Sequence, residues 1–482
     1  MGLFLTLLYI LTAYLSPATL FGALAPYHLE LVLAVVALLF SIPSFPPGLF
    51  RQPQMLAIAG MLMAVFVSLL LTGWFRSAPN GVWNFLPDVF VYILVVTHCK
   101  TKKHLQMVVL TLFFASAYVI LRGTMALYAN ELTSPFLFNQ GIGEDVHIYR
   151  LRGLSIIGDP NDFSQVLVSL IPCLFLFWER ERNFRNLVFV GLPVLWLIYG
   201  MYLTHSRGAI IALIAVIVVA AYRLIGPFVA AAIGTCTFAI SIALNWSGGR
   251  QISVEAGADR MDAWATGLEL IKQHPFFGVG FTRFTEYNQI TAHNSIVVCA
   301  AELGFIGFFF WVLFLVTNLR NGLVLEKMQL NPQGSARGMK SAFSDSYQYV
   351  DKHKSIQKMK TLEPAIDVRG EESAERRFRS GVYTGNVPNT NKEQINEFEI
   401  RRLAGLMVLC LIGFLVAGWF LSRAYVMWLF IFGGMMQAVV QMAISRDIPF
   451  SLASLPRLMK LSLIASITLL LLVYIILRLR NL

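Results

Sequence analysis

Charged residues are scarce in this sequence. Only 13% of its 482 residues are charged, whereas 57% are hydrophobic and the mean hydropathy is +0.65. Water-soluble domains carry about 25% charged residues. The composition therefore excludes an ordinary soluble domain and is typical of a membrane protein with many spans.

Cysteine is also scarce, with five residues in the chain. All five lie in or beside apolar segments without a paired loop spacing, so the sequence supports neither a disulfide framework nor a zinc site. We interpret them as small core residues. They are Cys99, Cys173, Cys236, Cys299 and Cys410.

Two further absences narrow the chemistry. The chain has no glycine-rich phosphate loop of the nucleotide-binding type, which argues against ATP or a nucleotide sugar as a substrate. The loops predicted outside contain no Asp-x-Asp pair, and Glu144, Asp145 and His147 form only a weak set of candidate metal ligands. We therefore expect neither a metal nor a cofactor.

What the sequence does contain is a series of apolar runs. A helix that crosses a bilayer needs roughly 17–25 such residues. The runs predict an all-α polytopic membrane protein with about 12–13 transmembrane helices and a partly helical extracytoplasmic loop. They lie near residues 2–24, 27–44, 55–73, 82–98, 104–122, 162–178, 186–203, 208–224, 226–244, 294–318, 403–421, 424–442 and 459–478.

The distribution of lysine and arginine predicts the orientation, since these residues collect in cytoplasmic loops. Basic loops at 99–103 and 179–185 read as cytoplasmic, and alternation then puts 204–207 outside. The N-terminus falls inside, with no basic stretch before its apolar run to suggest a cleavable signal peptide. The side of the C-terminus depends on the span count. The net charge of +11 reflects this topology and an anionic partner, and we expect no nucleic acid.

We divide the chain into four parts. Residues 1–122 form N-terminal transmembrane helices, and 123–318 form the transmembrane core that carries the catalytic candidates, with outer loops 123–161 and 245–293. Residues 319–402 are a cytoplasmic insert, interpreted as a flexible linker or regulatory tail, or alternatively as a docking site. Residues 403–482 supply the C-terminal transmembrane helices.

The second outer loop contains an amphipathic segment. Met261, Trp264, Leu268 and Ile271 share one helical stripe. Pro275 is expected to end this helix. We expect the helix to lie on the outer membrane face with its apolar side down.

Arginines fall on the predicted outer side, against the usual preference for positive charge inside, and five of them are candidates for a function. Each could be an interfacial side chain that extends to the headgroups. Alternatively each could bind phosphate, because guanidinium is permanently charged and donates a bidentate fork. The phosphate interpretation is favoured for Arg207 and Arg260 over the other three. The five are Arg152, Arg207, Arg250, Arg260 and Arg283.

His293 is the candidate general base, because histidine titrates near neutral pH and this one lies where the outer loop re-enters the membrane. Asn294 is adjacent and Glu302 lies nine residues on. His205 is a second choice. Asn161 is expected to cap the helix that begins at Asp-Pro-Asn, or to help position an anion there.

In these residues the chain resembles the O-antigen ligase and O-antigen polymerase superfamily of bacterial envelope glycosyltransferases. The ordered pieces cover about residues 150–305, and the long insert is a departure from the family. They are the stretch from Arg152 to Asn161, Ser206-Arg207-Gly208, Arg260 with Trp264, His274-Pro275 with Gly278-Val279-Gly280, and His293-Asn294 with Glu302-x-Gly304.

The resemblance implies a GT-C-like fold and a metal-independent, inverting transfer of a glycan from undecaprenyl diphosphate. The acceptor hydroxyl would belong to lipid A-core, a protein or another lipid-linked glycan, in lipopolysaccharide or other polysaccharide biosynthesis at the periplasmic face of the bacterial inner membrane. His293 would be catalytic. Arg152, Arg207, Arg260 and Arg283 would bind the diphosphate, and Asn161, Asn294 and Glu302 would position the substrates.

Other functions remain open. A transporter of a lipid-linked glycan should carry charges near the bilayer midplane, whereas here they collect at helix ends. A hydrolase of the donor would use the same arginines with water as the acceptor. The residues do not choose between ligase and polymerase, and they leave the oligomeric state open.

Overall fold

The computed structural model describes residues 1–141, 147–248, 254–328 and 390–480. The protein is 77% helical with little sheet, which confirms the predicted all-α polytopic membrane protein. The greater part of the predicted 319–402 insert lies outside the described residues. So do Glu144, Asp145 and Arg250.

The longer helices are numbered here in chain order. They are α1 (Gly2–Leu15), α2 (Leu29–Ser41), α3 (Pro53–Leu71), α4 (Ala78–His98), α5 (Lys102–Tyr128), α6 (Pro160–Leu174), α7 (Leu192–Leu203), α8 (Arg207–Leu224), α9 (Pro227–Ala243), α10 (Val254–Gln273), α11 (Ser295–Glu326), α12 (Thr390–Gly418), α13 (Met427–Ser445) and α14 (Leu455–Arg480).

The described helices coincide with the predicted apolar runs. Within the described residues, eleven helical segments are long and apolar enough to cross a membrane, and α1 and α9 are shorter apolar helices. Together they match the thirteen predicted runs. The first run is shorter than expected, because Ser16 takes a left-handed φ of 40° and Pro17 starts a separate turn. Helices α11 and α12 extend into both ends of the predicted insert.

The first outer loop contains a β-hairpin that the sequence did not predict. Strands β1 (Leu137–Gly141) and β2 (His147–Leu151) pair antiparallel, with Leu137 opposite Leu151. Leu137 and Leu151 are both buried. The hairpin therefore packs onto the helix bundle and brings the end of β2 close to the start of α6.

Helix α11 is broken at Gly304, whose φ of 64° is left-handed. The loop that follows α10 fills the break. The Val279 N–H donates to Ala301 O at 2.9 Å, and the Phe305 N–H donates to Pro275 O at 2.8 Å. Backbone groups freed by the break are thus paired, as burial in a membrane protein requires. The outer half of α11 becomes a short helix that begins at the candidate site.

Helix α11 is also the centre of the packing. It contacts α3, α12, α13 and α14, while α12 in turn packs against α6 and α8. The helices that carry Arg207, Asn161 and His293 at or next to their N-terminal ends are therefore neighbours around α12.

Helix α10 has the predicted apolar stripe and ends at Gln273, two residues before Pro275. The stripe does not simply lie on the membrane as expected. Trp264 is buried in the protein core, and Met261, Leu268 and Ile271 are partly buried and pack against it. Gly267 approaches α11 so closely that a Cβ there would lie 2.3 Å from Val297. The small glycine permits this close packing, which ties α10 to the start of α11.

Candidate active site

Arg207 is the first residue of α8, after the turn that ends α7. His205 takes a left-handed φ of 49° in this turn. The Ser206 Oγ caps α8 by accepting a hydrogen bond from Ala209 N (3.4 Å). A cation at this end of a helix faces the positive end of the helix dipole, which is unfavourable unless an anion is bound. The position of Arg207 therefore suits an anion-binding role.

Arg150 holds this turn in place. It is only 3% exposed, and its guanidinium donates to Thr204 O (2.7 Å), Gln140 Oε1 (2.9 Å) and Asn161 Oδ1 (2.9 Å). One side chain thus links the hairpin, the end of α7 and the start of α6. The sequence analysis chose Arg152 and missed Arg150. The two arginines are two residues apart, and only the strand β2, which was not predicted, shows which of them is buried.

Helix α6 begins at Pro160, as expected, but its cap differs from the prediction. The side chain of Asp159 is the N-cap and accepts the Asn161 N–H at 2.7 Å. The prediction that Asn161 caps this helix is therefore wrong, because its side chain is engaged by Arg150. Its proposed role in positioning a substrate stays a prediction.

Arg260 lies on α10 one turn before Trp264, which fixes this helix at the site. The Trp264 indole N–H donates to Ala292 O at 2.7 Å. Its ring also meets Trp419 edge-on at 5.8 Å. Ala292 directly precedes His293. This hydrogen bond therefore joins the beginning of the outer loop to its end.

The charge of Arg207 acts on Arg260, and the charge of Arg260 acts on His293. Burial lowers the pKa of Arg260, and the positive charge of Arg207 lowers it further. Burial likewise lowers the pKa of His293, the charge of Arg260 lowers it more, and Asp159 opposes the shift. Such effects require short distances. Arg260 therefore lies within electrostatic reach of both Arg207 and His293, and Asp159 within reach of His293.

The arginine pair forms no salt bridge with the described side chains, although ten other ion pairs are present there. Two interacting cations that lack an ion-pair partner favour binding of an anion.

His293 is held by its backbone while its ring stays available. Its φ of 47° is left-handed, and its N–H donates to Ser422 Oγ at 2.7 Å. The following residue, Asn294, caps α11 by accepting the Ile296 N–H at 2.9 Å. Within the described residues no hydrogen bond engages the imidazole. Its lowered pKa keeps it neutral at pH 7, the form that accepts a proton.

The other two arginines predicted to bind diphosphate have partners in the protein. Arg283 pairs with Glu286 at 3.1 Å and lies over the Trp74 ring, 3.9 Å from its centroid. The Nε of Arg152 donates to Pro135 O at 3.0 Å. The case for an anion site therefore rests on Arg207 and Arg260, and the roles of Arg152 and Arg283 stay untested.

Glu302 lies at the break in α11. Its Oε1 accepts the Phe284 N–H at 3.3 Å, and its backbone oxygen accepts the Gly280 N–H at 3.0 Å. It is only 5% exposed. Glu302 therefore ties the outer loop to α11, and its role in positioning a substrate stays a prediction.

Arg423 is a candidate that sequence reasoning missed. It lies in the turn between α12 and α13, and its Nε donates to Asp162 Oδ2 at 2.6 Å. The signal was present, since Arg423 falls in the two-residue gap between the predicted spans 403–421 and 424–442. Alternation puts this gap on the outer side, with the other arginines.

Candidate metal ligands do not gather in the parts of the chain that the structure describes. No three His, Cys, Asp or Glu side chains are grouped there closely enough to hold a metal ion. Of the weak set named from the sequence, only His147 is described, at the start of β2.

Comparison with known proteins supports a family. Residues 192–312 match the family model described as O-antigen ligase. The matched range contains Arg207, Arg260 and His293, whereas Arg423 lies beyond it. No curated protein matches the chain. The match confirms the resemblance to the O-antigen ligase and polymerase superfamily.

Proposed function

Starting from the O-antigen ligase domain at residues 192–312, we propose that this protein transfers a glycan from undecaprenyl diphosphate to an acceptor hydroxyl. The reaction takes place at the outer face of the bacterial inner membrane. The acceptor is lipid A-core, a protein or another lipid-linked glycan, so the enzyme is a ligase or a polymerase. One observation carries the proposal: a single turn contacts the surroundings of all three residues, through Trp419 with Trp264, Phe420 with Gly208 and Ser422 with the His293 N–H. The charge of Arg207 also acts on Arg260, and that of Arg260 on His293.

The arginine pair suits the diphosphate of the donor. Each guanidinium can donate two parallel hydrogen bonds to phosphate oxygens. When the bond between the anomeric carbon and the phosphate oxygen breaks, its electron pair leaves with the diphosphate. Arg207 and Arg260 stabilise that developing charge, and the N-terminus of α8 adds a partial positive charge.

His293 suits the acceptor. Its neutral imidazole takes the proton of the acceptor hydroxyl while the hydroxyl oxygen bonds to the anomeric carbon. Attack from the face opposite the leaving diphosphate inverts the anomeric centre. Because diphosphate is a good leaving group, the reaction needs no strong general acid.

A transporter of a lipid-linked glycan is the second candidate, and one observation favours it. Transporters often bind their substrates at discontinuous helices, and α11 is broken at Gly304. The backbone around this break, however, is hydrogen-bonded to the loop that starts at Pro275. Because these backbone groups are already paired, the break is better explained as a structural feature than as a substrate site.

The test uses purified full-length protein in liposomes with an undecaprenyl-diphosphate oligosaccharide and the three acceptor types. We expect Arg207→Gln, Arg260→Gln and His293→Gln each to lower kcat by about 100-fold or more. The exposed residues Arg122 and His147 provide matched controls, and Arg122→Gln and His147→Gln should keep the wild-type rate.

Two results would contradict the proposal. Wild-type rates in all three site variants would remove the assigned roles. Movement of the donor across the bilayer by the wild-type protein, without glycan transfer to any acceptor, would instead favour the transporter.

A further inference from the structure

The turn between α12 and α13 (residues 419–426) contacts the elements that carry both site arginines. Trp419 packs edge-on against Trp264 of α10, with 5.8 Å between ring centroids. Phe420 lies so close to Gly208 of α8 that a Cβ on the glycine would be 2.8 Å from it. The 419–426 turn therefore lies against the helix of Arg260 and directly beside Arg207.

The same turn also holds the residues around the candidate base. The Ser422 Oγ accepts the His293 N–H at 2.7 Å, and Leu421 O accepts the Ser295 hydroxyl at 2.7 Å. The turn that carries Arg423 thus lies beside the candidate base and beside the elements of both site arginines.

Arg423 extends from the turn to a buried carboxylate. Its Nε donates to Asp162 Oδ2 at 2.6 Å. The Asp162 side chain is 7% exposed, whereas that of Arg423 is 44% exposed. A buried carboxylate requires a partner, so this pair fixes the guanidinium at the first turn of α6.

The rest of the guanidinium is left to bind something else. The two Nη groups of Arg423 have no hydrogen-bond acceptor within the described residues. Arg402 shows the contrast, because its Nη2 donates to the carbonyl oxygens of Phe175 and Trp178 and ties two segments together. Arg423 is instead oriented through Nε and keeps its outer donors available.

We propose that Arg423 is a third substrate-binding arginine, which donates its Nη hydrogens to a phosphate or carboxylate oxyanion of the substrate. Asp162 is the positioning residue that holds it. The inference rests on the proposed glycan transfer and extends the site beyond the ligase-matched range. The oxyanion belongs either to the donor diphosphate or to an anionic group on the acceptor.

The experiment compares Arg423→Gln and Arg423→Lys in the full-length protein. Binding of undecaprenyl diphosphate in liposomes probes the donor, and KM for whichever acceptor supports transfer probes the acceptor. We expect Arg423→Gln to weaken one of the two by about tenfold or more. Arg423→Lys should lose less, because lysine keeps the charge but not the planar fork. Asp162→Asn should weaken the same step by a smaller factor.

Arg446→Gln is the matched control, because it breaks another arginine–carboxylate pair, 2.8 Å from Glu399, outside the candidate site. Weaker binding of undecaprenyl diphosphate assigns Arg423 to the donor, and a raised acceptor KM alone assigns it to the acceptor. The proposal is overturned if Arg423→Gln changes neither donor binding nor acceptor KM by more than Arg446→Gln does. This holds even if Arg423→Gln lowers the unfolding temperature. Failure of the proposed function looks different, since the wild-type protein itself would then transfer no glycan and both proposals would fall.

Discussion

The positive charges of Arg207 and Arg260 destabilise the fold when no ligand is bound. Arg207 faces the positive end of the α8 dipole, and its charge acts on Arg260 across the site. Binding sites commonly sacrifice stability in this way, because the ligand supplies the missing counter-charge. A diphosphate between the two guanidiniums would relieve both effects.

Neutralising Arg207 should therefore stabilise the protein while it removes activity. We expect Arg207→Gln to raise the free energy of unfolding by about 0.3–1 kcal/mol in the absence of substrate. Undecaprenyl diphosphate should raise the unfolding temperature of the wild type but not of this variant. Thermal unfolding followed in detergent measures both, and a variant less stable than the wild type would contradict the argument.

The pH dependence of glycan transfer should reflect the titration of His293. Its pKa is lowered from the ordinary value of 6.5, and in the proposed mechanism the neutral ring is the active form. The kcat/KM of transfer should therefore stay constant down to about pH 6.5 and fall on further acidification. Since the charge of Arg260 lowers this pKa, Arg260→Gln should move the acid limb of its residual activity to higher pH.

A substitution at Asp159 should shift the acid side of the pH profile in the opposite direction to Arg260→Gln. Its charge opposes the lowering of the His293 pKa. Asp159→Asn keeps a capping side chain on α6 and should move the limb to lower pH. Limbs that shift in the same direction in Asp159→Asn and Arg260→Gln would exclude His293 as the titrating base.

The sequence could identify part of this site for a physical reason. Polar side chains such as those of Arg207 and His293 stand out in a chain that is otherwise apolar, and outer-side arginines go against the usual charge distribution. Arg150 and Arg423 were missed, although both also fall on the predicted outer side. The role of each depends on a partner far along the chain, Thr204 for one and Asp162 for the other.

At the scale of elements, the break in α11 decides where the site lies. Gly304 takes a left-handed φ of 64°, and a Cβ there would lie 2.3 Å from the backbone of Phe276. Any other residue would be strained at this position and would push away the loop that fills the break. The break fixes the length of the half-helix that begins beside His293.

Gly304→Ala should consequently destabilise the fold. We expect a loss of about 1–3 kcal/mol in the free energy of unfolding, together with reduced transfer. Gly22→Ala is the control, because a Cβ at Gly22 meets no atom within 4 Å. Unfolding temperatures in detergent compare the two variants, and equal temperatures would show that the break tolerates a side chain.

Elements differ in how well a sequence predicts them. The thirteen apolar runs were found because bilayer thickness sets the length of each helix. The hairpin and the break were not, because both depend on hydrogen bonds between distant residues, such as Val279 with Ala301. Such pairing leaves no periodicity in either segment.

At the scale of the whole molecule, the structure adds a contact that bears on the topology. Arg480, at the end of α14, donates to Asp262 of α10 at 2.6 Å. The C-terminal end of α14 therefore lies on the same side as the candidate site. If all thirteen predicted runs cross the membrane, their odd number puts the N-terminus on the opposite side, as the basic loops predict.

Labelling of introduced cysteines should separate the two sides. We expect a membrane-impermeant maleimide to reach Lys272→Cys on α10 and Leu479→Cys on α14 from outside the cytoplasmic membrane. Arg180→Cys, in the basic loop after α6, should react only after permeabilisation. All three parent side chains are exposed, and Cys236→Ser removes the one exposed cysteine of the described chain.

If Lys272→Cys and Arg180→Cys label from the same side, the crossings between them do not alternate as the thirteen-span topology requires. If Leu479→Cys labels with Arg180→Cys, α14 does not cross, and the contact between Arg480 and Asp262 cannot form.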